Sequence, residues 1–263
     1  MGDVDLERPV VWQGFGLSDI GLVRFSNQDA FAVENQLGLW VIADGMGGHA
    51  GGSVASSLAV NSIVEYLRAS SEAWPDSQHR HAFALQVLAE AISVGDTAIH
   101  QRTVTAPDLT GMGTTIVAAL LCPGDSLGMA VAHVGDSRAY LIRNDTITRL
   151  TTDHSLVQLL LREGRISSDQ AMTHSQQHIL LRALGVEDHA KADMALHILD
   201  PQDIILLCTD GLTKTLTEGE ILSIVSQHRS APPHACRILI DTANDHGGKD
   251  NTTVVMISAS HRG

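Results

Sequence analysis

Four aspartates recur at one kind of step in this 263-residue sequence, where an apolar run meets a turn. Asp44 closes LWVIA and Asp136 follows AVAHVG; Asp210 follows IILLCT, and Asp250 precedes TTVVMI across Asn251. Singly, Asp44-Gly45, Asp136-Ser137, Asp210-Gly211 and Asp250-Asn251 are explained as turn dipeptides, because an Asp side chain bonds its local backbone. Together, and with Asp29 after Asn27-Gln28, they are carboxylates at strand edges that one fold would crowd into one cleft.

Like charges a few Å apart in a low-dielectric cleft must be neutralised by protons or by cations. Hard oxygen ligands select Mg²⁺, Mn²⁺ or Ca²⁺, and glycine at position 45 lets the backbone carbonyl beside Asp44 approach the same ion. Two such ions about 3.5–4 Å apart generate hydroxide at neutral pH and clamp an in-line phosphoryl displacement. Phosphate ester hydrolysis is therefore expected ahead of redox chemistry.

Competing chemistries fit less well. Gly45-Met46-Gly47-Gly48-His49-Ala50 satisfies G-x-G-x-x-A, with Glu65 about 20 residues on, as a dinucleotide fingerprint asks. Yet Asp44 would face the pyrophosphate, and the later strands are too closely spaced for crossover helices. A P-loop lacks its Gly-Lys-Ser/Thr, and an EF-hand lacks D-x-D-x-D-G. His174 and His178 have the i, i+4 spacing of a zinc helix without the HExxH glutamate. Cys122, Cys208 and Cys236, an odd number without CxxC spacing, read as buried free thiols of a reducing compartment.

The carboxylates must be carried by strands. Strand-length apolar runs fall at 38–43, 114–121, 127–134, 139–143, 204–209 and 252–257, and those between 114 and 143 are joined by pieces short enough for hairpins. Helical periodicity runs from Ser53 to Leu67 and from His81 to Gln101, with further helices expected near 155–163, 176–184, 217–227 and 233–245. Antiparallel strands with helices before and after them suggest a layered α+β domain, a two-sheet core covered by helices. Residues 144–200, poor in long apolar runs, are expected to form a lid or subdomain. No repeat or Pro-rich linker divides the chain, so a single domain over 1–263 is expected.

Thirty acidic against 17 basic residues, a formal charge of −13, argue against nucleic-acid binding. The start, MGDVDLERPVVWQG, has no signal-peptide pattern, and Leu6 stands where myristoylation at Gly2 would want Ser or Thr. With no uninterrupted apolar run of membrane length, a cytoplasmic protein is expected, with no membrane partner.

In order, the motifs resemble those of the metal-dependent protein serine/threonine phosphatases of type 2C, in their bacterial form, over Gly14 to about Ile257. The set comprises Arg24-x-x-Asn27-Gln28-Asp29, Asp44-Gly45-Met46-Gly47-Gly48 and Gly111-Met112-Gly113-Thr114-Thr115. It continues through Val134-Gly135-Asp136-Ser137-Arg138, Cys208-Thr209-Asp210-Gly211-Leu212 and Gly248-Lys249-Asp250-Asn251-Thr252. The resemblance implies a four-layer α-β-β-α sandwich of two antiparallel sheets flanked by helices, with a flap subdomain near 152–190. It implies that Arg24 holds the substrate phosphate and Asp29 orders metal-bound water. Asp44 would bridge two Mn²⁺ or Mg²⁺ ions, with the Gly45 carbonyl, Asp210 and Asp250 as further ligands, and Asp136 would hold a third, weaker ion. The activity implied is hydrolysis of phosphoserine and phosphothreonine on proteins by a metal-bridged hydroxide attacking in line, without a covalent intermediate. A phosphoprotein-binding or regulatory module of the same fold with low activity is the alternative. The implied partner is a phosphoprotein, opposite a Ser/Thr kinase, and a monomer is the default.

The sequence departs from the family pattern at four places. Gln28 stands where many members have Glu. Met46 replaces a histidine discussed as general acid, and a thioether has no proton to give; metal-bound water or another group would then supply it, His49 being one candidate. His174-Ser175-Gln176-Gln177 replaces His-Pro-x-Arg in the flap, and Lys214 stands where an acid commonly follows Asp-Gly-Leu.

Overall fold

The computed structural model describes residues 10–48, 51–70, 74–123, 126–186 and 189–261. Residues Gly2, Leu6, His49 and Ala50, which the sequence analysis invoked, lie outside these segments.

Two antiparallel sheets form the centre. The first runs in the order β1 (Val10–Asp19), β11 (Thr252–His261), β10 (Ile204–Cys208), β7 (Arg138–Arg143), β8 (Thr146–Arg149). The second runs β2 (Asp29–Glu34), β3 (Leu39–Met46), β5 (Ile116–Cys122), β6 (Gly128–Val134), β9 (Asp193–Ile198), with the two-residue β4 (Gly113–Thr114) also pairing to β3. Helices α1 (Gly51–Ser70) and α2 (Arg80–Thr105) cover the second sheet; α5 (Asp210–Thr213), α6 (Glu218–Gln227) and α7 (Pro232–Asp245) accompany the first.

The continuous apolar strands explain the four layers, because the side-chain period of two gives each strand two buried faces. In β3, Leu39, Val41 and Ala43 pack under α1 and α2, while Trp40 and Ile42 point at the other sheet. In β10, Ile204, Leu206 and Cys208 face α6 and α7, and Ile205 and Leu207 meet Trp40 across the gap. In β1, Gly14 and Gly16 break the apolar pattern because the sheets press together there. A Cβ at Gly14 would collide with the Trp40 indole, and one at Gly16 would meet the Phe31 ring at 2.5 Å.

The helix expected over 176–184 is absent. Its backbone groups pair non-locally instead: Leu156 N–H donates to Ile179 O, Leu181 N–H to His154 O, and Thr114 and Leu184 exchange both bonds. The apolar residues that mimicked a helical face, Leu180 and Leu184, belong to an extended strap lying against 154–156 and β4. Helices α3 (Leu156–Arg162) and α4 (Ser168–Met172) occupy the rest of the segment between β8 and β9, outside both sheets.

By length and composition α2 is apolar enough to cross a membrane, although no unbroken apolar run of that length exists. Here it is a core helix, burying Ala84, Val87, Leu88, Ala91, Ile92 and Ile99 against the second sheet.

Candidate metal centre

The strand period that sends Trp40 and Ile42 into the gap between the sheets sends Asp44 the same way, at the end of β3. Asp29 stands directly opposite Asp44 in the β2–β3 register. Its Oδ2 accepts hydrogen bonds from Thr209 Oγ1 (2.9 Å) and Thr253 Oγ1 (2.7 Å), both on the other sheet's side. One carboxylate thus ties the two sheets together at the mouth of the sandwich.

The backbone of Asp44 is held on both sides. Its N–H donates to Thr115 Oγ1 (3.0 Å), and its carbonyl accepts from Thr115 N–H (2.8 Å) and Thr114 Oγ1 (2.9 Å). Thr115 Oγ1 also meets Ser137 Oγ at 2.7 Å, which couples Asp44 to the turn that carries Asp136. Asp210 opens α5. Asp250 is placed by Asn251, whose Oδ1 accepts from Gln28 N–H (2.8 Å) and whose Nδ2 donates to Ile20 O (2.9 Å) and Ser26 O (3.1 Å). Asn251 stitches the 20–28 loop to β11, and Arg24 on that loop donates from Nη2 to Asp250 Oδ2 at 2.8 Å. A side chain at Gly45 would strike the Gly52 carbonyl, so this glycine is required by the contact between β3 and the first turn of α1.

These residues surround a cavity of about 270 Å³ lined by Arg24, Asp44, Gly45, Asp136, Asp210 and Asp250, with Gln28, Met46, Thr115, His178 and Lys214 also on its wall. Asp29 stands behind, between the sheets. Arg24, half-exposed, is on the rim.

Burial and mutual repulsion dominate the electrostatics. Burial, then the charges of Asp210, Asp29 and Asp136, hold the Asp44 carboxyl well above the usual carboxylate range. Burial pushes Asp29 up to about 7 against the opposing pull of its two threonine bonds. Asp136 is likewise pushed up to about 7, by burial and by Asp210, with the Lys214 charge working the other way. Asp29 Oδ1 and Asp210 Oδ1 are buried without a hydrogen-bond partner. Orphaned anionic oxygens cost several kcal/mol each unless a cation meets them. An all-oxygen donor set of this kind fits a hard divalent ion such as Mn²⁺ or Mg²⁺.

A second cluster offers nitrogen as well: His133, His154 and Asp193 bring one ligand atom each within 4.8 Å of one another. Part of its donor set is already engaged within the fold. His154 Nδ1 accepts from Gly135 N–H (3.2 Å), leaving the neutral ring's proton on Nε2, which lies 3.3 Å from Asp193. His133 Nε2 bonds Thr152 O, and Arg182 Nη1 is 3.3 Å from His154 and 2.7 Å from Asp193. These bonds engage His154 and Asp193, and the group is distinct from the carboxylate site.

His174 and His178 do not form a ligand pair, because no helix brings them together and His174 Nδ1 accepts from Gln176 N–H. All three cysteines are buried and free, and burial pushes Cys208 up to about 12, far from a nucleophile's range. The dinucleotide reading also falls, since β3 is antiparallel to both β2 and β5 and no βαβ crossover exists there. The sequence analysis assigned no role to Thr115, Thr209, Asn251 or Thr253; Thr209 and Asn251 stand next to Asp210 and Asp250, whereas nothing local marks Thr115 or Thr253.

A two-sheet sandwich with a carboxylate-lined cleft at its end defines a metal-dependent phosphohydrolase. The chain belongs to the protein phosphatase 2C family, whose model matches residues 24–236. It is similar to the serine/threonine phosphatase stp of Listeria innocua, at 39% identity, covering 91% of this chain and 93% of the relative. Among solved structures it resembles the Mycobacterium tuberculosis serine/threonine phosphatase PstP/Ppp, with a TM-score of 0.81 and 33% identity over 94% of this chain and 98% of that one. It also resembles the catalytic domain of the serine/threonine protein phosphatase PstP in complex with two manganese ions, with a TM-score of 0.80 and 32% identity over 95% and 99% of the two chains.

Proposed function

We propose that this chain is a single catalytic domain that hydrolyses phosphoserine and phosphothreonine on proteins in the cytoplasm, as a monomer opposing a Ser/Thr kinase. The observation that carries the reading is the crowding of Asp44, Asp136 and Asp210, two of them pushed above the ordinary carboxylate range, around a cavity with an arginine on its rim. Asp44, Asp210, Asp250 and the Gly45 carbonyl would hold two divalent ions. When bound, those ions supply Lewis-acid chemistry, activating water at neutral pH and neutralising charge on the phosphoryl group.

The protein's own groups divide the remaining tasks. Arg24 spends one N–H on Asp250, which leaves further guanidinium donors to grip phosphoryl oxygens from the rim. Asp29, anchored through Oδ2 behind the cavity, would help to order water at the metal centre. As the bond from phosphorus to the seryl or threonyl oxygen breaks, the leaving oxygen needs a proton that Met46 cannot give. His178 supplies it: this residue of the flap strap lines the cavity.

The test is hydrolysis of p-nitrophenyl phosphate with Mn²⁺, with Mg²⁺ and with EDTA, followed by a panel of phosphopeptides. Metal-dependent turnover that extends to phosphoserine and phosphothreonine peptides is expected. Metal binding without turnover would instead favour a regulatory module of the same fold.

A further inference from the structure

Asp210 uses its two carboxylate oxygens differently. Oδ1 is buried and has no hydrogen-bond partner, whereas Oδ2 is held by the ammonium of Lys214. The spacing makes this pair: α5 is a single turn, and Lys214 closes it with its own N–H on the Asp210 carbonyl at 2.8 Å, so residues four apart lie on one face. The lysine does not lean out into solvent, as a charge at a short helix end ordinarily does. It forms part of the cavity wall beside Asp136 and Asp44, with about a third of its side chain exposed. Its charge is felt at both carboxylates, and it counters the upward push on Asp136 ahead of Arg138.

We propose that Lys214 is a built-in monovalent cation of the metal centre, occupying the Asp210–Asp136 flank where a further divalent ion would otherwise bind. The inference rests on the metal-binding reading of the carboxylate cluster. A tethered ammonium has three donors and a full charge, and its local concentration is permanent. While it holds Asp210 Oδ2, volume and charge exclude a second cation from that oxygen, which leaves Oδ1 as the oxygen without a partner. The third ion expected at Asp136 is thereby replaced by a side chain. The lysine also gives the metal-free protein a partial counter-ion for a cluster that would otherwise repel itself.

The experiment is calorimetric titration of the full, EDTA-stripped chain with Mn²⁺, in wild type and in Lys214→Asp, Lys214→Met and Lys214→Arg, with thermal unfolding in EDTA alongside. Lys214→Asp is expected to take up one more Mn²⁺ per chain than wild type. Lys214→Met, which keeps the volume and drops the charge, is expected to bind Mn²⁺ roughly tenfold more tightly and to melt below wild type in EDTA. Lys214→Arg keeps the wild-type stoichiometry. Wild type that binds Mn²⁺ with the same count and affinity as Lys214→Asp and Lys214→Met overturns the assignment of Lys214 alone. Wild type that takes up no Mn²⁺ overturns the metal centre, and the assignment with it. If Lys214→Asp fails to fold, the affinity shift in Lys214→Met decides.

Discussion

Asp29 and Asp44 face each other across the β2–β3 register, and the period of both strands turns them into the gap between the sheets rather than toward α1. Two carboxylates held opposite one another without a cation repel, and both sit above their ordinary range. The pairing is tolerable because Thr209 and Thr253 reach across from the other sheet to hold Asp29.

Asp44 carries the greatest burden of the cluster. Asp44→Ala is expected to lower Mn²⁺-dependent turnover by about 10³-fold or more, several kcal/mol of transition-state stabilisation. Because it removes a buried, repelled carboxylate, the variant's melting temperature in EDTA should equal or exceed that of wild type. Phosphatase assays and calorimetry check both, and near wild-type turnover would remove Asp44 from the centre.

Asn251 holds the Arg24 loop with three side-chain hydrogen bonds. Asn251→Ala strands the Gln28 N–H and two carbonyls and should cost about 2 kcal/mol of stability, read by urea unfolding. Because the loop carries the phosphate grip, KM for p-nitrophenyl phosphate should rise by a larger factor than kcat falls.

His178 matters only where the leaving group needs a proton. His178→Ala should slow hydrolysis of a phosphoserine peptide by about 10²-fold while leaving p-nitrophenyl phosphate, whose phenolate departs unaided, nearly unaffected. Equal effects on the two substrates would assign His178 to binding instead.

His154 contributes to the acid sensitivity of the fold. Burial first, then the neighbouring His133 and Arg182, lower its folded pKa, and its Nδ1 must stay unprotonated to accept from Gly135 N–H beside Asp136. The folded state therefore binds fewer protons than the unfolded one below the ordinary histidine value, and this contribution is lost as pH falls through that range. Melting temperatures between pH 7 and pH 5 should drop more steeply for wild type than for His154→Asn, whose amide oxygen can accept the same bond without titrating. Parallel curves would show that His154 is not the titrating group.

The division between sequence and structure follows from what is local. Binary patterning marked β3, β5, β6, β10 and β11 because each is buried on both faces and reads as a continuous apolar run. The same logic missed β1, where close sheet packing demands Gly14 and Gly16, and invented a helix at 176–184, where Leu180 and Leu184 serve an extended strap. Asp44, Asp136, Asp210 and Asp250 were legible because a carboxylate at the end of a hydrophobic strand is a local contradiction. That they share one cavity, and that Asp29 bridges the sheets through Thr209 and Thr253, depend on strand register and sheet packing. Those contacts join residues up to 224 positions apart, as Asp29 and Thr253 are, and no local pattern encodes which distant edges meet. The sequence by itself determined the chemistry available, oxygen ligands and an arginine. Only the tertiary structure decided their neighbours, because burial and proximity, not residue type, set what a buried carboxylate must pair with.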